Sequence, residues 1–323
     1  MAQADDARCL AAAAALAERA RPLASPNPGV GAIILADGVV IGRGWTQEGG
    51  RPHAEAMALQ QAGEAARGAA LYVTLEPCAH RSPRGPACAD LVAEAGLARV
   101  IIGMRDPDPR TAGSGLDLLE QAGLIVTEAG LSSEELGLSG HMAQLQLGRP
   151  HVTLKLAMSL DGCIAMAGGE SQWITGEAAR AHAHRERARA DAILIGGETL
   201  RADNPRLDVR LPGLALRSPR RMVLTRSDAP DGWTAINSPA GIATLDDVRY
   251  LFIEGGSGAA AAFLAHDLVD RLLIYRAPML IGGGRASIGD IGLGDLASAH
   301  DRWRLDDTRQ LAQDRLEIFN RRR

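Results

Sequence analysis

Short apolar runs alternate with helical stretches along almost the whole chain, and this alternation restricts the fold to layered α/β arrangements. Up to residue 147 the pattern opens with a helix over 5–20 and the turn Ser25-Pro26-Asn27-Pro28-Gly29. A hairpin follows, Val30–Leu35 and Val39–Gly42 joined through Ala36-Asp37-Gly38. Helices are then predicted over 53–66, 87–95, 114–122 and 132–147, with strands at Ala70–Leu75, Val100–Gly103 and Ile125–Thr127 between them. That order predicts a three-layer α/β/α sandwich around a mainly parallel sheet. Gly148-Arg149-Pro150 breaks the last helix, so the domains are placed at 1–147 and 151–323.

The second half restarts with a strand, His151–Met158, and alternates again. A helix is predicted over 177–189, strands at Ala192–Ile195, Met222–Leu224 and Tyr250–Ile253, a helix over 258–266 and a strand at Leu272–Tyr275. From about residue 300 the chain reads as strand and tail. With 323 residues there is enough chain for two cores.

Charge argues against one class of partner. The net charge is -4 and aromatics are 3% of residues, no footprint for a nucleic-acid binder. The Ala-rich stretch 9–17 follows Asp5 and Asp6 rather than basic residues, so it reads as a helix and not as a leader. No run approaches the roughly 20 apolar residues a membrane span needs, and a cytoplasmic location is expected. Four cysteines are too few for a disulfide scaffold.

Two of those cysteines suggest chemistry instead. His53-Ala54-Glu55 opens a predicted helix, and Pro77-Cys78 and Cys88 follow the next strand. One imidazole and two thiolates make a three-ligand zinc set that leaves the fourth position for water. Zinc lowers the pKa of such a water towards neutrality, and Glu55 is placed to carry its proton to a leaving amine. Cys78, after Pro77, is expected at a helix N-terminus, which favours thiolate. The order is that of the H-x-E…P-C-x-x-C signature of zinc deaminases, with nine residues between the cysteines instead of two. His80 remains open as a fourth ligand, which would close the site into a structural zinc module.

At this point the chain resembles the bifunctional riboflavin-biosynthesis deaminase/reductase family. The likeness rests on Ser25-Pro26-Asn27-Pro28-x-Val30-Gly31, His53-Ala54-Glu55, Thr74-Leu75-Glu76-Pro77-Cys78-x-His80 and Asp106-Pro107-x-Pro109 in the first half. In the second it rests on Lys155 through Gly162, Ser171 through Thr175, Asp203-x-Pro205-x-Leu207 and Glu254-Gly255-Gly256. The resemblance implies a cytidine-deaminase-like first domain and a dihydrofolate-reductase-like second domain. It implies zinc deamination of a small phosphorylated diaminopyrimidinone, then NADPH reduction of its ribosyl group to ribityl. A homo-oligomer is implied, and neither nucleic acid nor membrane.

By the same resemblance Asn27 and His80 contact the pyrimidine and Asp106 lines its pocket. Lys155, Thr175, Asp203 and Glu254 surround the sugar, with Asp203 counted also among the cofactor contacts. Ser171, Arg187, Leu207 and Arg210 hold substrate, the two arginines as phosphate partners. Ala157, Trp173, Thr199 and the Gly255-Gly256-Ser257-Gly258 turn meet NADPH.

The residues themselves agree in part. Arginine forks suit phosphate oxygens, although a helix-surface arginine is commonly only solvated. The glycine turn precedes an Ala-rich helix, so its N–H groups offer an anion site. Lys155 is the only lysine and lies in an apolar strand, where it either pairs with Asp161 or Asp203 or faces a ligand.

The chain also departs from the family pattern. The cysteine loop is one residue longer, Asp108 stands for Asn, and Cys163 replaces a basic residue. Thr225-Arg226 sits where an Asp-Ser pair is expected, and 211–253 is shortened. The shortening suggests one alternative, a deaminase whose second domain binds without reducing; a nucleic-acid base deaminase is a second, which the negative charge and few aromatics oppose.

Overall fold

Asp37 and Gly38 both adopt positive φ, 48° and 77°, as a two-residue hairpin turn demands. They join β1 (Gly31–Ala36) to β2 (Val39–Trp45) in the computed structural model, which describes residues 2–80, 84–109 and 111–323. The chain divides into two compact units, 1–148 and 149–323.

The first unit has one sheet in the order β2-β1-β3-β4-β5, with β3 (Ala70–Leu75), β4 (Arg99–Met104) and β5 (Ile125–Glu128). β1 is antiparallel to both neighbours, while β3, β4 and β5 run parallel. The sheet is therefore half antiparallel rather than mainly parallel, because the hairpin supplies two of its five strands. The strand period of two sends alternate residues to opposite faces. Tyr72 and Ile101 pack with Leu10 of α1 (Ala2–Ala20), while Leu71, Val73, Val100 and Ile102 join the main core on the other face. That core holds Ala54 and Ala58 of α2 (Ala54–Ala62), Val92 of α3 (Cys88–Glu94) and Leu116 and Leu119 of α4 (Ser114–Gln121).

Two predicted helices are shorter than the sequence pattern suggests. α2 ends at Ala62, where Gly63 turns to φ 55° and a short 3-10 turn follows. The stretch 132–147 is helical only in α5 (Ser139–Leu147). Gly137 sits at φ 72°, and Ser132 donates its N–H and hydroxyl to Glu135, a local turn that competes with helix.

α2 lies unusually close to β2. A Cβ on Gly44 would stand 2.0 Å from the carbonyl oxygen of Ala54, so only glycine lets the helix start there. Gly44→Ala is expected to destabilise the N-terminal unit by about 1–3 kcal/mol through overpacking. Chemical denaturation followed by circular dichroism measures this, and an unchanged profile would contradict it.

The second unit is built on an eight-stranded sheet in the order β10-β9-β8-β11-β6-β12-β15-β14. Its strands are β6 (His151–Met158), β8 (Ala192–Gly196), β9 (Arg220–Leu224), β10 (Thr234–Ile236), β11 (Tyr250–Glu254), β12 (Arg271–Arg276), β14 (Trp303–Leu311) and β15 (Asp314–Arg321). The first six in spatial order are parallel and the last two antiparallel. β7 (Cys163–Ala165) and β13 (Arg285–Ala286) form a separate ribbon. The helices are α6 (Glu177–Arg187), α7 (Gly197–Asp203) and α8 (Ser257–Ala265). α7, β10 and the ribbon are each too short to impose a period that the sequence pattern reveals.

β6 alternates cleanly. Val152, Leu154, Leu156 and Met158 enter one core, which puts Lys155 and Ala157 on the opposite face. Arg149, in the predicted break, is itself buried and held by both oxygens of Asp270, which also accepts the Val152 N–H. Among the described residues no helix is long and apolar enough to cross a membrane.

Candidate active sites

His53 immediately precedes α2 and Cys88 is the first residue of α3, so two helix starts converge beside the end of β3. The Nδ1 of His53 lies 3.2 Å from the sulfur of Cys88 and 3.6 Å from that of Cys78. Ligand atoms of the three residues all fall within 4.8 Å of one another. The Asn27 amide stands 3.1 Å from the other ring nitrogen and so fixes the imidazole's orientation.

Cys78 does not begin a helix, contrary to expectation; it follows β3 in extended chain. The helix still acts on it, because the Cys88 N–H, the first of α3, donates to its sulfur at 3.4 Å. Hydrogen bonding from Cys88 is the main cause that pulls the Cys78 thiol down to about 4, while the Cys88 thiol is pushed up by that same contact. Two thiols and an imidazole, nearly sealed from solvent, fit zinc and leave one position open. His80 is not in this donor group, and among the described residues no fourth donor joins it.

Glu55 sits on the first turn of α2 and is 3% exposed. Burial raises its pKa, and its Oε2 has no hydrogen-bond partner. A buried carboxyl that resists ionisation and keeps one oxygen uncommitted suits proton transfer.

A cavity of about 130 Å³ opens on this group, lined by Asn27, His53, Glu55, Cys78, His80 and Asp106. Cys88 is not among the lining residues. Thr46, Glu76, Asp108, Thr111 and His141 also line it, and no role was read for these from the sequence. Glu76 accepts N–H groups from Asp106, Gly113, Gly115 and Leu116 at 2.9–3.4 Å, pinning that segment and the start of α4. Its place in the Glu76-Pro77-Cys78 run was the only available signal.

In the second unit a cavity of about 270 Å³ lies at the carboxyl ends of the parallel strands, where open α/β sheets bind ligands. Lys155 and Ala157 of β6, Glu254 at the end of β11 and Thr199 and Asp203 of α7 line it. Ser171, Trp173, Thr175, Arg187, Leu207, Arg210, Gly255 and Gly256 complete the predicted residues present. Ser257 and Gly258 are not in the lining; they lie in the first turn of α8. The Gly256 N–H donates to Thr199 Oγ1 at 3.3 Å, so the glycine turn is tied to α7.

Lys155 pairs with neither predicted partner. Asp161 is taken by the Ser159 hydroxyl and the N–H groups of Ile281 and Gly282, and Asp203 is exposed. The Lys155 ammonium instead stands 3.9 Å from Glu254 and over the Tyr275 ring. Arg187 turns its fork onto both oxygens of Glu254 and gives another N–H to the Asp208 carbonyl. That fork is therefore committed to a carboxylate rather than free for phosphate. Arg210 keeps an exposed guanidinium, 3.5 Å from Asp208. Burial opposes ionisation of Glu254, but Arg187 and Lys155 outweigh it and hold the carboxyl down to about 2. Burial lowers the Lys155 pKa in turn.

Leu207 is buried at φ 54°, a conformation a leucine adopts only where its surroundings impose it. Trp173 is 64% exposed and stacks under Arg180. His184, Arg180 and Tyr275 also line the cavity and were not anticipated. The 211–253 stretch contains β9 and β10, and Glu254 at its end pairs with Lys155 and Arg187.

A zinc-fitting, Glu-equipped cavity in one unit and a strand-end cavity in the other define a two-domain deaminase–reductase. Residues 3–104 match the cytidine and deoxycytidylate deaminase zinc-binding region, and residues 150–316 match the RibD C-terminal domain. The riboflavin biosynthesis protein RibD of Escherichia coli is 38% identical over 340 residues, covering 90% of this chain and 92% of that protein. Its counterpart in Corynebacterium ammoniagenes is 41% identical over 284 residues, with 82% and 83% covered. The Acinetobacter baumannii RibD structure matches with a TM-score of 0.85 at 34% identity, over 99% of this chain and 100% of that one. The Thermotoga maritima structure titled diaminohydroxyphosphoribosylaminopyrimidine deaminase/5-amino-6-(5-phosphoribosylamino)uracil reductase matches at 0.88 with 29% identity, each chain fully covered. The chain belongs to the RibD family, and it is a bifunctional enzyme with a zinc deaminase domain and an NADPH-dependent reductase domain.

Proposed function

We propose that the N-terminal domain, 1–147, deaminates a 2,5-diamino-6-ribosylamino-4(3H)-pyrimidinone 5′-phosphate, and that the C-terminal domain, 151–323, reduces the ribosyl group of the product to ribityl. The observation that carries this reading is the grouping of His53, Cys78 and Cys88, two of which line one cavity together with buried Glu55. When bound, zinc activates a water molecule and NADPH supplies a hydride. Glu55, buried with its Oε2 unpartnered, would carry a proton from the attacking water to the departing amine. Asn27, His80 and Asp106 orient the pyrimidine.

In the second cavity Lys155, Thr175, Asp203 and Glu254 hold the sugar. Ser171, Leu207 and Arg210 hold the rest of the substrate, with Arg210 the phosphate partner, while Arg187 holds Glu254 ionised. Ala157, Trp173, Thr199 and the Gly255–Gly258 turn take the cofactor. The family likeness points to a homo-oligomer, and the cytoplasm is the default location for a chain with no apolar run of membrane-spanning length.

The test is a paired assay on one sample: ammonia release from the diaminopyrimidinone, NADPH consumption, and zinc content. Ammonia and NADPH turnover with about one zinc per chain is the expected result. Ammonia without NADPH loss would leave a deaminase with a binding-only partner domain, and no ammonia despite bound zinc would end the substrate assignment. Lys155→Met should lower reductase kcat/KM by about 10- to 100-fold through loss of one charged contact. Its ammonia release should stay within about twofold, since Lys155 belongs to the other cavity.

A further inference from the structure

We infer that His141 is a positioning residue of the deaminase site, holding the Asp106 carboxylate in the orientation that reads the pyrimidine. The inference rests on the reading of Asp106 as a pyrimidine contact. His141 lies in the first turn of α5, and the fold brings its Nε2 to 3.3 Å from Asp106 Oδ1. Both side chains are buried, 6% and 8% exposed, and both line the cavity above the zinc-fitting group.

Asp106 is constrained from three sides. Its N–H donates to Glu76 Oε2 at 3.2 Å, and its Oδ1 accepts the Asp108 N–H at 3.0 Å as well as the imidazole. Its other oxygen, Oδ2, accepts no hydrogen bond from a described residue, which leaves it for a ligand. The terminal torsion of an aspartate is broad and roughly two-fold, so one contact at Oδ1 alone lets the group swing. A second donor at Oδ1 narrows that range and fixes where Oδ2 points. Preorganisation of this kind lowers the entropy lost on binding and so acts on affinity.

The ring is an uneconomical space-filler. With Nε2 at the Asp106 carboxyl, the ring's other nitrogen, Nδ1, is buried with no partner. An unsatisfied buried polar atom is destabilising, so an apolar side chain would serve packing better. What the imidazole adds is the contact to Asp106.

The experiment compares His141→Phe, His141→Gln and Asp106→Asn in the full chain by steady-state ammonia release, zinc content and melting temperature. His141→Phe should raise KM about tenfold with kcat within about threefold and zinc retained, the pattern of lost binding common to ground and transition states. Gln, whose amide N–H can replace Nε2–H, should bring KM back to within about threefold. The phenylalanine change should add little in the Asp106→Asn background, because both act through one carboxylate. An unchanged KM in His141→Phe, alongside a raised KM in Asp106→Asn, would overturn the role of His141 alone. An unchanged KM in Asp106→Asn would remove the reading beneath it. A Gln variant that loses zinc and melting temperature together with Phe would make His141 merely structural.

Discussion

Glu55→Gln is expected to bind about one zinc per chain and to lose deaminase kcat by at least about 10³-fold. The three donors that fit zinc are His53, Cys78 and Cys88, so the substitution leaves the metal set whole. Glutamine also matches glutamate in volume, which matters where the side chain is 3% exposed. What it removes is the capacity to take a proton and give it back. Without metal, burial raises the Glu55 pKa, and the carboxyl can both accept and release a proton. An amide has no such equilibrium. Reduction of supplied deaminated intermediate should be unchanged, because Lys155 and Glu254 lie in the other domain's cavity. Metal analysis beside ammonia and NADPH assays decides the matter. Activity within tenfold of wild type, with zinc retained, would remove Glu55 from the proton path.

Much of the first site was legible because its chemistry is carried by residues close in sequence to strand and helix ends. His53 and Glu55 flank one helix start, and Cys78 follows a strand whose apolar run is unmistakable. Pro77 resembles a helix entry in sequence, yet no helix begins at Cys78. The nine-residue separation from Cys88 let the helix begin at the second cysteine instead. His141 was invisible because its partner is 35 residues away and neither belongs to a shared motif. In the second site, Lys155 stood out as a charge in an alternating strand, but its partner came from β11, paired with β6 only in the folded sheet. Arg187 shows the same limit. Its fork suits phosphate in the abstract, and only tertiary structure reveals that Glu254 already fills it.

Cys88→Ala separates metal binding from catalysis at the same centre. Cys88 is fully buried, its sulfur is the nearer of the two to His53 Nδ1, and its N–H supports Cys78. Alanine keeps the helix start and the backbone contact but leaves only one imidazole and one thiol, too few to hold zinc tightly. The variant should purify with less than about a tenth of a zinc per chain and release no ammonia. Because metal affinity is folding free energy when the ligands come from separate elements, the N-terminal unit should also melt earlier. Its ligands come from before α2, after β3 and the start of α3, so zinc would tie three elements together. The C-terminal unit has its own cores and its own cavity, and NADPH-dependent reduction should survive. Chelation of the wild-type protein should reproduce both effects, and returning zinc should reverse them in wild type but not in the variant. Stoichiometric zinc in Cys88→Ala would show that the metal is held by a different set of ligands, and the proton role of Glu55 would have to be argued afresh from that geometry.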